Sequence, residues 1–193
     1  MLRLQEKYNK KIVPAMIEKF GYKNKMAVPK IEKVIINTGF GKMIEGKGAG
    51  ERKKVEEHIA KNLALITGQK PLSVQAKKSI AVFKLRQGMI VGLKTTLRGK
   101  RMYQFLEKLT MLVFPRSRDF RGLPLSSISE KGDLTIGFKE YTPFPEVKTD
   151  KEKGIFGLEV TIKTNAKTKK ERIELLRQIG VPLQKNNKEE KLS

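Results

Sequence analysis

The spacing of apolar residues changes type repeatedly along this chain, and in no regular order. Leu4, Tyr8, Ile12 and Met16 recur every four residues, the stripe of a helix over residues 2–20 that Phe20-Gly21 ends. Pro14 lies inside that stretch, so a kink or a division into two short helices is expected. "IEKVIINT" at 31–38 reads as a strand. The glycine-rich "EGKGAG" leads into a second helix at 51–66, and "ITGQKPLSVQAKK" gives a turn and a short strand. Residues 90–98 alternate as a strand, and "KRMYQFLEKLTMLV" has helical spacing. Beyond Pro115 the chain is irregular, with two strands marked by the alternation of Leu134, Ile136 and Phe138 and of Leu158, Val160 and Ile162. Thr168 suits the N-cap of a last helix through residue 179, with Gly180 as its stop. The order α-β-α-β-β-α-β-β-α lacks the alternation of a parallel sheet. It predicts an α+β fold, a mainly antiparallel sheet packed against helices, with long protruding loops. No internal repeat is visible. The 193 residues suit one domain over 1–183, followed by a flexible basic and polar tail at 184–193.

Charge narrows the partners. The chain holds 42 Lys and Arg against 20 Asp and Glu, a net charge of +22. Self-repulsion of that size opposes compaction unless a polyanion neutralises it. Nucleic acid does so most effectively, because each neutralised phosphate releases counterions. A membrane is the weaker partner: no 18-residue apolar span is present, and the N-terminus lacks the apolar core of a secretory signal. Cysteine is absent, which removes disulfides and thiolate metal sites and suits a reducing cytosol.

From Lys77 to Arg101, eight of 25 residues are Lys or Arg and none is acidic. Strand alternation divides the second half of this stretch. Val91, Leu93, Thr95 and Leu97 take the core side. Lys94, Thr96 and Arg98 form a row of donors on the other. In 31–38, Lys33, Ile35 and Asn37 share a side, so Lys33 and Asn37 can join the same polar face. Asn offers both donor and acceptor to a base or sugar edge, whereas Lys and Arg mainly hold phosphates. The bland alternative is a solvated face of a half-buried sheet. In residues 78–89, Ile80, Val82, Phe83 and Leu85 sit among cations. They fit either a mobile hairpin carrying Phe83 and Arg86 to a ligand or an amphipathic edge strand whose apolar residues simply pack. "FPRSRDFRGLP" at 114–124 brings Arg116, Arg118 and Arg121 together beside Phe120. Their guanidinium forks suit phosphate or carboxylate, with Asp119 neutralising one locally. Residues 140–154 are mixed in charge and suit protein contact.

Two features imitate catalysis. "GKMIEGKG" at 41–48 nearly spells a phosphate-binding loop, but Gly48 occupies the hydroxyl position that would reach magnesium. Gly48, Ala49 and Gly50 also delay the following helix. Residues 41–48 read better as a flexible loop; a nucleotide-binding enzyme built on them remains the alternative function. His58, the single histidine, has no nucleophile or metal-binding companions in the pattern. The residues give no reason to expect an enzyme or a cofactor.

Four segments, "VPKIEKVIINTGFG", "ITGQKPLSVQAKKSI", "FKLRQGMIVGLKTTLRGKRMYQFLEKL" and "PRSRDFRGL", resemble in that order the large-subunit ribosomal protein L-five family of bacteria, over about residues 2–183. The resemblance implies a single α+β domain that binds 5S ribosomal RNA in the central protuberance, beside 23S-type RNA and neighbouring large-subunit proteins. It implies 5S RNA contacts at Asn37, Gln69 and Thr96; Lys33, Lys94 and Arg98, the cations that alternation puts on the polar face, are expected to accompany them. It further implies that the 78–89 loop reaches P-site tRNA through Lys78, Lys84, Arg86 and Gln87, with Phe83 in support. Arg116, Arg118 and Arg121, together with the mixed-charge loop at 140–154, then belong to a bridge to a small-subunit head protein. The expected location is the cytoplasmic or an organellar ribosome. An RNA-binding module outside the ribosome is a third reading. The 42–54 loop is longer than the common bacterial form, and Tyr103 stands where many relatives carry Trp.

Overall fold

The computed structural model describes residues 3–118, 120–129, 133–147 and 154–184. Helix α1 is built of three contiguous pieces, Leu4–Lys7, Tyr8–Ile12 and Val13–Phe20, the middle one wound as a π-helix. It ends at Gly21, whose φ of 69° lets its N–H close on Ile17 O at 2.8 Å. Strand β1 is Ile31–Gly39, and helix α2 is Ala49–Thr67. Strands β2 and β3 are Leu72–Gln75 and Ile90–Leu97. Helix α3 again has three pieces, Gly99–Lys108, a π-helical Leu109–Val113 and Phe114–Arg116. Strands β4, Asp133–Phe138, and β5, Leu158–Thr164, precede helix α4, Lys169–Ile179.

The expected division at Pro14 is a widened turn rather than a break. In α1 and α3 alike, the π-helical turn ends two residues before a proline, Pro14 or Pro115. Proline lacks an N–H and its ring presses on the carbonyl four residues back. A wider turn relieves that clash without ending the helix.

The strands form one sheet in the order β2-β3-β1-β5-β4, antiparallel and accompanied by helices, as an α+β fold requires. Strand β2 lies at an edge. It pairs antiparallel with β3, Leu72 opposite Lys94, Ser73 opposite Leu93 and Val74 opposite Gly92, and the register shifts before Gln75 meets Ile90.

The chain divides into two compact units. The first comprises Met1–Val34, Arg98–Ile136 and Thr161–Ser193. Ile12, Met16, Phe105, Leu109, Leu175 and Leu176 are among its buried residues. Helix α4 starts with a capping box: Thr168 Oγ1 accepts from Glu171 N–H, and the Glu171 carboxylate accepts from Thr168 N–H. Arg172, from the same turn, is almost wholly buried and donates to Ser129 O at 2.7 Å and Ala166 O at 3.0 Å. A buried guanidinium is tolerable because it meets such acceptors.

The second unit comprises Ile35–Leu97 and Gly137–Val160. Ile36, Ile59, Leu63, Ile66, Leu93 and Leu97 are buried in it. Residues 140–147, read from sequence as a protein-contact loop, are pinned from within. Tyr141 stacks on Phe156 at 4.5 Å, Phe144 meets the Phe138 ring edge-on at 5.6 Å, and Val147 is buried. Its exposed side chains are polar or proline, Glu140, Thr142, Pro145 and Glu146. Residues 148–153 lie outside the described residues.

Candidate nucleic-acid interface

Alternation on the two neighbouring strands separates a buried side from an open one. On β1, Val34, Ile36 and Thr38 are buried, while Lys33, Ile35 and Asn37 are half-buried. On β3, Leu93, Thr95 and Leu97 are buried, while Lys94 and Thr96 are half-buried. Val91, expected on the core side, is only half-buried. Phe40 N–H donates to Val91 O at 3.0 Å. Counted back along an antiparallel pair, that bond brings Asn37 to the level of Leu93, Lys94 and Thr95. A Cβ at Gly92 of β3 would lie 2.9 Å from Thr38 O, so the close approach of the strands there needs glycine.

The corner after α2 supplies Gln69. Gly68, with φ of 67°, turns the chain. Thr67 Oγ1 donates to Leu63 O at 2.8 Å and accepts from Gln69 N–H at 3.3 Å. The Gln69 side-chain amide then reaches Thr96 O at 3.4 Å. Asn37, Gln69, Lys94 and Thr96 thus stand together within the second unit. Lys33 and Arg98 belong to the first; Lys33 shares the Asn37 side of β1, and the exposed Arg98 immediately precedes α3.

Edge strand β2 extends this open side. Ser73 Oγ donates to Glu56 Oε1 of α2 at 2.7 Å, which fixes the Ser73 side of β2 toward the helix. Leu72 and Val74 therefore point the opposite way, with Lys94, and are 70% and 40% exposed. Sequence reasoning missed both. Alternating Leu and Val normally mark the core side of a strand, and only the register with β3 shows that this pair lies on the open one.

Residues 76–89 close a hairpin. Ala76 N–H donates to Met89 O at 2.8 Å, Gly88 N–H to Ala76 O at 3.0 Å, and Ile80 and Leu85 exchange bonds of 3.0 and 3.1 Å. A 3₁₀ turn, Ala81–Phe83, forms the tip, and Lys84 follows with φ of 49°. The apolar residues do not pack as an edge strand would: Val82 is 82% and Phe83 54% exposed. Lys78, Lys84, Arg86 and Gln87 are exposed as well. In the first unit, Arg116, Arg118 and Arg121 are exposed where Phe120 stacks on Phe114 at 4.9 Å. Asp119, expected to neutralise one of them, lies outside the described residues.

Among the described residues, none of Lys33, Lys78, Lys84, Arg86, Lys94 and Arg98 is in an ion pair; Lys19 and Glu174 do form one, at 2.7 Å. The described residues contain no group of three or more His, Cys, Asp or Glu able to hold a metal. No helix among them is long and apolar enough to cross a membrane. The 41–48 segment is partly helical, not the loop expected. Gly41–Ile44 form a turn of helix, Lys47 N–H donates to Ile44 O at 3.2 Å, and Lys47 O accepts from Arg52 Nε at 2.6 Å. Helix α2 begins at Ala49, two residues before the expected start. A phosphate-binding loop needs its backbone N–H groups turned toward the ligand, and here that of Lys47 is used within its own turn.

A basic α+β protein with an open, polar sheet face is the class these features define. Two family models cover most of the chain, one described as Ribosomal protein L5 over residues 24–86 and one describing the C-terminus of the same ribosomal family over residues 90–183. A large ribosomal subunit protein uL5 from Dictyoglomus turgidum is 51% identical over 182 residues, 94% of this chain and 98% of the relative. Proteins of the same description from Carboxydothermus hydrogenoformans and Clostridium botulinum are 48% and 47% identical over the same shares. The chain belongs to the ribosomal protein L5 family.

Proposed function

We propose that this protein is a non-catalytic constituent of the large subunit of the cytoplasmic ribosome, and that the open face of its second unit binds 5S ribosomal RNA. The relatives' description as large ribosomal subunit proteins supports the first part. The observation that carries the second is the grouping of Asn37, Gln69, Lys94 and Thr96 on the open side of β1 and β3, with Lys94 in no ion pair among the described residues. Neutral amides and a hydroxyl supply directed hydrogen bonds, and the surrounding cations supply phosphate affinity. Lys33 and Arg98 accompany them. The 78–89 hairpin, with Lys78, Lys84, Arg86 and Gln87 around the exposed Phe83, contacts the P-site tRNA. Arg116, Arg118 and Arg121 serve a bridge to a small-subunit head protein.

Binding of purified protein to 5S RNA across a salt series tests the central claim. Affinity should fall steeply with salt. Asn37→Ala or Thr96→Ala should weaken it more than Lys188→Ala in the C-terminal tail. Equal losses at all three positions would show that the open face is not the contact.

A further inference from the structure

We infer that Leu72 and Val74 are RNA-contacting residues and that the open face reads ribose, through a shallow groove of A-form RNA, more than it reads phosphate. This rests on the 5S RNA reading above and assigns a ligand chemistry to that face. Within the second unit the face presents three neutral hydrogen-bonding side chains, Asn37, Gln69 and Thr96, and two exposed aliphatic ones. Lys94 is the cation that β3 places among them, directly opposite Leu72. A surface built to hold phosphate would reverse those proportions.

Ribose fits what is present. Its carbon face is apolar and flat enough to rest on a Leu and a Val side chain. Its 2′-hydroxyl both donates and accepts, as Asn, Gln and Thr side chains require. The minor groove of an A-form helix is wide and shallow and lined with such hydroxyls. Continuity also argues for one occupant. Leu72 is the cross-strand neighbour of Lys94, and Gln69, three residues before Leu72, is bonded to the Thr96 backbone. An RNA lying on Asn37 and Thr96 covers Leu72 without a second docking event. The chain's charge of +22 favours a polyanion over a protein at the same place.

The test compares the full chain's binding to 5S RNA and to the same RNA carrying 2′-fluoro riboses, which keep A-form geometry and remove the donor. Leu72→Ala and Val74→Ala are measured beside Lys94→Ala, with melting temperature as the folding control. Both aliphatic side chains are exposed, so neither variant should unfold. Each should weaken 5S RNA binding about five- to tenfold with the salt slope unchanged, whereas Lys94→Ala should reduce the slope by about one. The 2′-fluoro RNA should bind at least tenfold more weakly than the native RNA. If Asn37→Ala and Thr96→Ala weaken binding while the aliphatic variants and the 2′-fluoro RNA behave as wild type, the ribose assignment is overturned and the 5S RNA face stands. If Asn37→Ala and Thr96→Ala also bind as wild type, the face itself is wrong. Retained RNA binding by Leu72→Ala with loss of a protein neighbour from assembled subunits overturns the ribose assignment too, in favour of a protein occupant.

Discussion

The Gln69 side-chain amide rests on the main-chain carbonyl of Thr96 at 3.4 Å. One side chain of the proposed RNA-binding face is therefore positioned by the backbone of another residue of that face. The bond is long and its net worth small, but it restricts where the Gln69 carbonyl oxygen can point. Gln69→Ala should weaken 5S RNA binding several-fold. Thr96→Ala keeps the main-chain carbonyl that holds Gln69, so the Gln69→Ala, Thr96→Ala double variant should lose the product of the two single losses. A double-mutant cycle by filter binding measures this. A combined loss well short of that product would show that the two side chains depend on each other rather than on the Thr96 backbone.

Gly92 should not accept a side chain. A Cβ there meets Thr38 O at 2.9 Å, and backbone cannot yield as a flexible side chain does. Gly92→Ala should cost about 1–3 kcal/mol by thermal melting. It should also weaken 5S RNA binding, since separating β3 from β1 displaces Lys94 and Thr96 from Asn37. Unchanged melting would mean that the strands part there at no cost.

Which side chains of β1 and β3 are open is largely legible in the sequence, because a half-buried sheet imposes period-two alternation on its residues. That rule separates Lys94 and Thr96 from Leu93, Thr95 and Leu97, and Asn37 from Ile36 and Thr38, as their burial shows. Thr168 and Gly180 as helix limits are legible for a similar reason, since capping chemistry is local. What escapes depends on partners distant in sequence. Leu72 and Val74 alternate as core residues do, and only pairing with β3 and the Ser73–Glu56 bond place them on the open side. The wide turns before Pro14 and Pro115 escape because proline predicts disruption but not how a helix accommodates it.

Lys84 holds the left-handed region at the hairpin tip, with φ of 49°. That conformation costs a non-glycine residue about 1–2 kcal/mol. Its N–H donates to Ala81 O, and the Ile80–Leu85 pair closes around it. Lys84→Gly should strengthen the hairpin's closure while removing a cation. Hydrogen exchange at the Leu85 amide should slow, and tRNA crosslinking to the hairpin within ribosomes should fall. Faster exchange at Leu85 would show that the lysine side chain, rather than the backbone, maintains the turn.

The Glu174 carboxyl lies below the ordinary glutamate range, chiefly because Lys19 Nζ donates to it at 2.7 Å, with a second hydrogen bond from Gln178. A carboxyl whose value is lowered by folding stabilises the fold above its unfolded value and loses that contribution as pH falls through its folded value. The first unit should therefore lose stability on acidification below the ordinary glutamate range. Lys19→Met should make that acid limb shallower. At neutral pH the same change should cost at most about 1 kcal/mol, because the Lys19 side chain is more than half exposed and solvent screens the pair. Added salt should shrink the difference further. Melting temperatures of both proteins from neutral to acid pH give the comparison. Superimposable acid limbs would mean that the pair does not couple proton binding to folding.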